Sequence, residues 1–156
     1  MTQFGRFFVN ILIAFCLCKS TFSARIFASV STAAYSHQVA FRPIWKELAN
    51  RGHEIVLMTT DPMEETKNIR QIDMSFSYTI MKERNFSSIV TNDLQNGSLN
   101  SAKLLSDIFF DYIFKQIEHP EVQQIINNKS EHFDLLMLEL MFPIHLGLLE
   151  KLKLQL

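Results

Sequence analysis

The sequence predicts an α/β domain built on a parallel sheet. Three observations carry that prediction. Short strand-like apolar runs lie at 24–32, 53–60 and 133–140. An amphipathic helical pattern joins the first two runs closely enough to return the chain parallel to itself. A longer helical pattern at 99–117 precedes the third run, so strands alternate with helices rather than with hairpin turns.

Ala24 to Thr32 (ARIFASVST) sets Ile26, Phe27 and Val30 among small residues, apolar on both faces as a buried parallel strand requires. The helix that follows carries Phe41, Ile44, Trp45, Leu48 and Ala49 on one stripe. Arg51-Gly52 is its stop, because glycine adopts the left-handed conformation past a helix end and arginine favours the dipole there. Pro43 either opens the regular helix or kinks its first turns, since it cannot donate to the ladder. His53 to Thr60 (HEIVLMTT) is the second strand, closed by Asp61-Pro62.

Ile72 to Ile80 alternates Ile72, Met74, Phe76, Tyr78 and Ile80, a period of two that predicts another strand. Glu83 to Asn100 is polar and predicts a loop with some helical turns. Leu99 to Ile117 is the longest helical pattern, with Leu105, Ile108, Phe109, Tyr112, Ile113 and Ile117 on one side, ended by Glu118-His119-Pro120. A short helix through Val122, Ile125 and Ile126 follows, and Phe133 to Leu140 (FDLLMLEL) is a further buried strand ended by Pro143. Leu146 to Leu156 predicts one amphipathic helix or its start, with no closing strand, which leaves the expected sheet with an unfinished edge.

The 156 residues suffice for one domain, and 47% apolar with 20% charged is the mixture of a globular chain. The net charge of -1 with no Lys/Arg run gives no footprint for nucleic acid, so none is expected as a partner. Residues 1–23 are set aside as a signal peptide, leaving 24–156 as the domain. Arg6 precedes an apolar run from Phe7 to Cys18, and Thr21-Phe22-Ser23 offers small residues for cleavage. An uncleaved anchor or a buried helix is the alternative, although the run is shorter than the roughly 20 residues of a span. Cys16 and Cys18 both fall in that segment, so the mature chain is expected to have neither a disulfide nor a catalytic thiolate. Asn85, Asn96 and Asn128 each begin an Asn-x-Ser sequon, as a lumenal or secreted chain would allow.

Ser36-His37 follows the first strand and enters the first helix, where open α/β sheets bind their ligands. A histidine there can take a proton near neutral pH, its unperturbed pKa being about 6.5. Such a base needs a group to fix its tautomer, and Glu139 at the end of the last strand is the candidate. A surface or helix-capping histidine is the other reading. Phe109, Phe110, Tyr112 and Phe114 form a stripe that would either wall a pocket or pack as core, and Trp45 reads as core. His53, His119, His132 and His145 have no zinc spacing, so no metal site is expected. Neither common glycine-rich phosphate loop is present, and Asn96-Gly97 reads as a turn.

Four stretches, in order, resemble the N-terminal domain of animal UDP-glycosyltransferases: Tyr35-Ser36-His37-Gln38, Phe41-Arg42-Pro43-Ile44-Trp45-Lys46-Glu47-Leu48, Arg51-Gly52-His53-Glu54 and Thr59-Thr60-Asp61-Pro62. Phe133-Asp134-Leu135-Leu136 with Glu139 resembles the family's later strand, so the likeness runs from about Ala24 to Pro143. It implies a Rossmann-like parallel sheet, the incomplete N-terminal domain of a GT-B glycosyltransferase. His37 then matches the general base that deprotonates an acceptor hydroxyl for inverting attack on the sugar. Glu139 stands where many members carry an aspartate, and its longer side chain is a departure. Ser36, Phe109 and Tyr112 fall in the region of acceptor contacts.

The resemblance further implies a small lipophilic acceptor and a UDP-sugar co-substrate for the complete enzyme, with no cofactor held by this chain. The family's donor-binding half and membrane anchor would lie beyond Leu156, so these residues alone are expected to be inactive. The family location is the endoplasmic reticulum, and a short form would be secreted. The alternatives are a non-catalytic module that binds hydrophobic molecules or pairs with full-length relatives, and a truncated product without a function of its own.

Overall fold

Alternate residues of the central strands are buried on opposite sides, and this builds the molecule from the sheet outward. A computed structural model describes residues 23–94, 99–139 and position 147. In chain order the elements are β1 (Arg25–Val30), α1 (Tyr35–Val39), α2 (Arg42–Asn50), β2 (Glu54–Thr59) and β3 (Ile69–Asp73). Then come α3 (Phe76–Glu83), α4 (Phe86–Ser88), a π-helical turn (Ile89–Leu94), α5 (Leu99–Ile117), α6 (Pro120–Asn127) and β4 (Leu135–Leu138). The four strands form one parallel sheet in the order β3-β2-β1-β4. The predicted leader up to residue 22, the sequon at Asn96 and the tail from Leu140 on, Gly147 apart, lie outside the described residues.

One face of the sheet offers Phe27, Val56, Met58 and Ile72 to Val122 and Ile125 of α6 and to Phe133. The other face offers Ile26, Ala28, Val30, Ile55 and Leu57 to Trp45 and Ala49 of α2. A third cluster joins Ile80 of α3 and Ile89 to Leu105, Ile108, Tyr112 and Ile113 of α5. The register pairs Ile26 with both Ile55 and Leu135, and Val30 with Thr59, so the strands end together along one carboxyl edge.

The helical stripe expected between β1 and β2 is two helices, broken at Ala40–Phe41, with Pro43 in the first turn of α2 where its missing N–H costs nothing. Gly52 takes φ +94° and closes α2 through hydrogen bonds from Gly52 N to Ala49 O (3.0 Å) and His53 N to Leu48 O (3.1 Å).

The strand expected over Ile72 to Ile80 is a correction. Pairing stops at Asp73, whose Oδ1 accepts from Ser75 N (2.8 Å), and α3 begins at Phe76. Met74 is the last alternating residue to be buried by sheet geometry. Beyond it Ser77 and Ile80 face inward at helical spacing while Tyr78 and Thr79 face out. Phe76 and Ile80 satisfy both periods, which is why the alternation misleads.

Candidate active site at the carboxyl edge of the sheet

The loop after β1, Ser31 to Ala34, is buried through Ala33, so its backbone groups must be satisfied by protein. Side chains from four elements converge on it. Gln38 of α1 is fully buried. Its amide donates to Val30 O (2.9 Å), Thr60 Oγ1 (3.0 Å) and Thr32 O (3.3 Å), and its Oε1 accepts from Thr59 Oγ1 (2.8 Å). Gln116 of α5, also fully buried, donates to Ser31 O (3.0 Å) and to Ser77 Oγ of α3 (2.8 Å). Thr60 Oγ1 lies 3.1 Å from Thr32 O. These contacts lock the loop to the ends of β1 and β2 and so fix where α1 begins.

Glu139 reaches the same loop from β4. Its backbone N–H continues the ladder to Ser29 O (2.9 Å), and its Oε2 accepts from Thr32 N (3.1 Å). Its Oε1 lies 2.5 Å from Nδ1 of His37. The glutamate side chain is 11% exposed and the imidazole 35%, so the carboxylate is shielded while the ring keeps an open side. An ionised carboxylate only accepts, so the proton between them sits on Nδ1 and the neutral ring is basic at Nε2. His37 and Glu139 are thus brought together from positions more than a hundred residues apart in sequence.

A second polar group is tied to the same loop through Thr60, whose Oγ1 lies 3.1 Å from Thr32 O and 3.0 Å from Asp61 Oδ2. Tyr78 Oη donates to Asp61 Oδ2 (2.9 Å), and burial, reinforced by the Asp61 carboxylate, pushes the phenol up to about 12. Arg42 holds the Asp61 carbonyl (2.8 Å) and lies over the Tyr35 ring. Tyr78 and Ala33 share the wall of a cavity of about 690 Å³ with Met81, Lys82, Asn85 and Phe86. A smaller cavity of about 300 Å³ runs between Phe41, Trp45 and β4 and ends at Glu139.

The remaining expected site residues fall elsewhere. Ser36 is exposed at the start of α1. Phe109 is half-buried, edge-on to Phe86 and Tyr112, and lines neither cavity. Tyr112 is fully buried in the core between α3 and α5, where the stripe of α5 turns it inward. Asn85 and Asn128 are exposed, Asn85 on the rim of the larger cavity. His53 accepts from Ala24 N, His119 caps α6, and His132 lies against Asp134, each a local role. Among the described residues no group of three or more metal-ligating side chains forms, and no helix is long and apolar enough to cross a membrane.

The sequence reading missed Gln38, Gln116 and the Tyr78–Asp61 pair. Their only advance signal is polar residues inside otherwise apolar turns. Gln116 sits one turn after Tyr112 on the buried stripe, and Gln38 follows His37 in a helix of five residues.

No protein-family model matches the chain, and no solved structure matches it. Curated proteins do. UDP-glycosyltransferase UGT4 of Dactylopius coccus is 28% identical over 116 residues, covering 74% of this chain and 22% of the relative. The ecdysteroid UDP-glucosyltransferase of Lymantria dispar multicapsid nuclear polyhedrosis virus is 39% identical over 69 residues, covering 40% of this chain and 14% of the relative. These relatives support the UDP-glycosyltransferase family. The chain spans less than a quarter of the length of either. The four-stranded parallel sheet is consistent with a Rossmann-like partial domain.

Proposed function

We propose that this chain forms the acceptor-binding part of an inverting UDP-glycosyltransferase, in which a hexosyl or glucuronosyl group passes from a UDP-sugar to a hydroxyl of a small lipophilic acceptor. The observation that carries the reading is the His37–Glu139 pair at the carboxyl edge of a parallel sheet. In the reaction, Nε2 of His37 takes the acceptor's hydroxyl proton as its oxygen bonds to the anomeric carbon. The bond from that carbon to UDP breaks on the opposite face, and its electrons leave with the diphosphate. Glu139 stabilises the imidazolium that forms.

The cavity beside Ala33 suits an acceptor with an apolar body and a hydroxyl. Met81 and Phe86 supply apolar wall, and Tyr78 and Lys82 supply polar groups. The viral relative is named for an ecdysteroid, and a steroid bearing hydroxyls has that character. The UDP-sugar enters as a co-substrate, and no metal is needed for the proton transfer. This reading places the chain in the lumen of the secretory pathway.

Transfer requires donor and acceptor in one geometry, and residues 1–156 by themselves are proposed to be inactive. The test is a chimera in which residues 24–156 replace the matching segment of the Dactylopius coccus relative, offered UDP-glucose or UDP-glucuronic acid with a steroid or 1-naphthol. Glycoside from the chimera and none from the 156-residue chain is expected. Labelled sugar transferred by the chain alone would overturn the claim of inactivity. A chain that binds 1-naphthol, in a chimera that never transfers sugar, would favour the second reading, a non-catalytic module for hydrophobic small molecules or for pairing with relatives.

A further inference from the structure

Apart from Ala33, the larger cavity is walled by one short stretch of chain. Tyr78, Met81, Lys82 and Asn85 stand on one side of α3 and its end, at the spacing of neighbouring helical turns. Asn85 N donates to Lys82 O (3.1 Å) and Asn85 takes φ +54°, which bends the chain so that Phe86, Ser87 and Ser88 continue the wall. Phe86 is braced edge-on against Phe109, with 5.4 Å between ring centroids, so the apolar side of the cavity is held in place.

The charge of that wall is one-sided. Among the described residues that line the cavity, Lys82 is the one charged side chain and none is a carboxylate. The nearby cations Arg84 and Lys115 are both committed to Asp111, at 2.8 and 3.6 Å. Lys82 is exposed and makes no ion pair with a described residue. Tyr78 cannot stand in for it toward an anion, because its hydroxyl proton is given to Asp61 Oδ2 (2.9 Å). That carboxylate also accepts from Thr60 Oγ1 (3.0 Å) and is not part of the wall. An ammonium has three donors and no acceptor, and its strongest partner is an ionised acid. We propose that the acceptor taken by this cavity is a lipophilic molecule bearing an acid group, and that Lys82 sets this preference by pairing with it. The ring system lies against Met81 and Phe86, and the carboxylate meets the ammonium at the rim. The hydroxyl to be glycosylated is left at the Ala33 end, beside the loop that leads into α1. The inference rests on the reading of this cavity as the acceptor site and goes beyond it in naming the acceptor's charge.

The measurement is the ratio of the Kd values of the 156-residue chain for 2-naphthol and 6-hydroxy-2-naphthoic acid, which differ by one carboxyl group, at neutral pH and low ionic strength. The acid is expected to bind about fivefold tighter, the worth of an ion pair at a partly exposed site. Lys82→Met brings the ratio to about one, Lys82→Arg keeps it, and added salt weakens it by screening. The chimera gives the same ratio as KM for the two acceptors. Equal binding of the two ligands by the unaltered chain, or a preference for the acid that survives in Lys82→Met, would overturn the inference while leaving the cavity as an acceptor site. If neither ligand binds the chain and the chimera glycosylates neither, the acceptor reading of the cavity and the inference fall together.

Discussion

The Gln38 side chain has no water to fall back on. It is fully buried, and its amide joins Val30, Thr32, Thr59 and Thr60, the closing residues of two strands. Each such bond contributes about 0.5–1.5 kcal/mol net, and stripping one side leaves buried partners unmet. Gln38→Ala is therefore expected to destabilise the chain by about 2–4 kcal/mol, measured by urea denaturation, and to free the start of α1 that carries His37. A loss under about 0.5 kcal/mol would mean that the threonines re-pair without it. This residue was hard to read in advance because its importance lies in which groups surround it. His37 was legible from its place between a strand and a helix, and Glu139 from its place at a strand end. Tyr112 showed its burial in the stripe of α5.

At the scale of elements, the signals that held were those in which pattern and punctuation agreed. Leu99–Ile117 is helical as its apolar spacing and the following His119-Pro120 require. The run at Ile72 to Ile80 failed because period-two and period-four readings shared Phe76 and Ile80, and only the Asp73 side chain bonding Ser75 N decided between them. The sequence also hid the break between α1 and α2, since the apolar stripe continues across Ala40–Phe41. Gly52 is the element boundary with the plainest cause. Its φ of +94° is unfavourable for any residue with a Cβ, while the space around it is open, so the backbone alone bears the cost. Gly52→Ala is expected to lose about 1–2 kcal/mol in chemical denaturation without altering the sheet. An unchanged midpoint would show that the return from α2 to β2 has other conformations available.

For the molecule as a whole, the parallel sheet does the assembling. Residues from the ends of β1, β2 and β4 arrive on one edge because the strands run the same way and end in register. Glu139 and His37 meet there although 102 positions separate them. The cavity beside Ala33 opens next to the same loop, which leads into the helix that carries His37. The relatives extend well beyond the stretch they share with this chain. The measurement that tests the central claim most directly is turnover by the chimera carrying His37→Ala. The account predicts that kcat falls by about 10²–10⁴ while KM for the acceptor changes little. Near-normal kcat in that variant would contradict it.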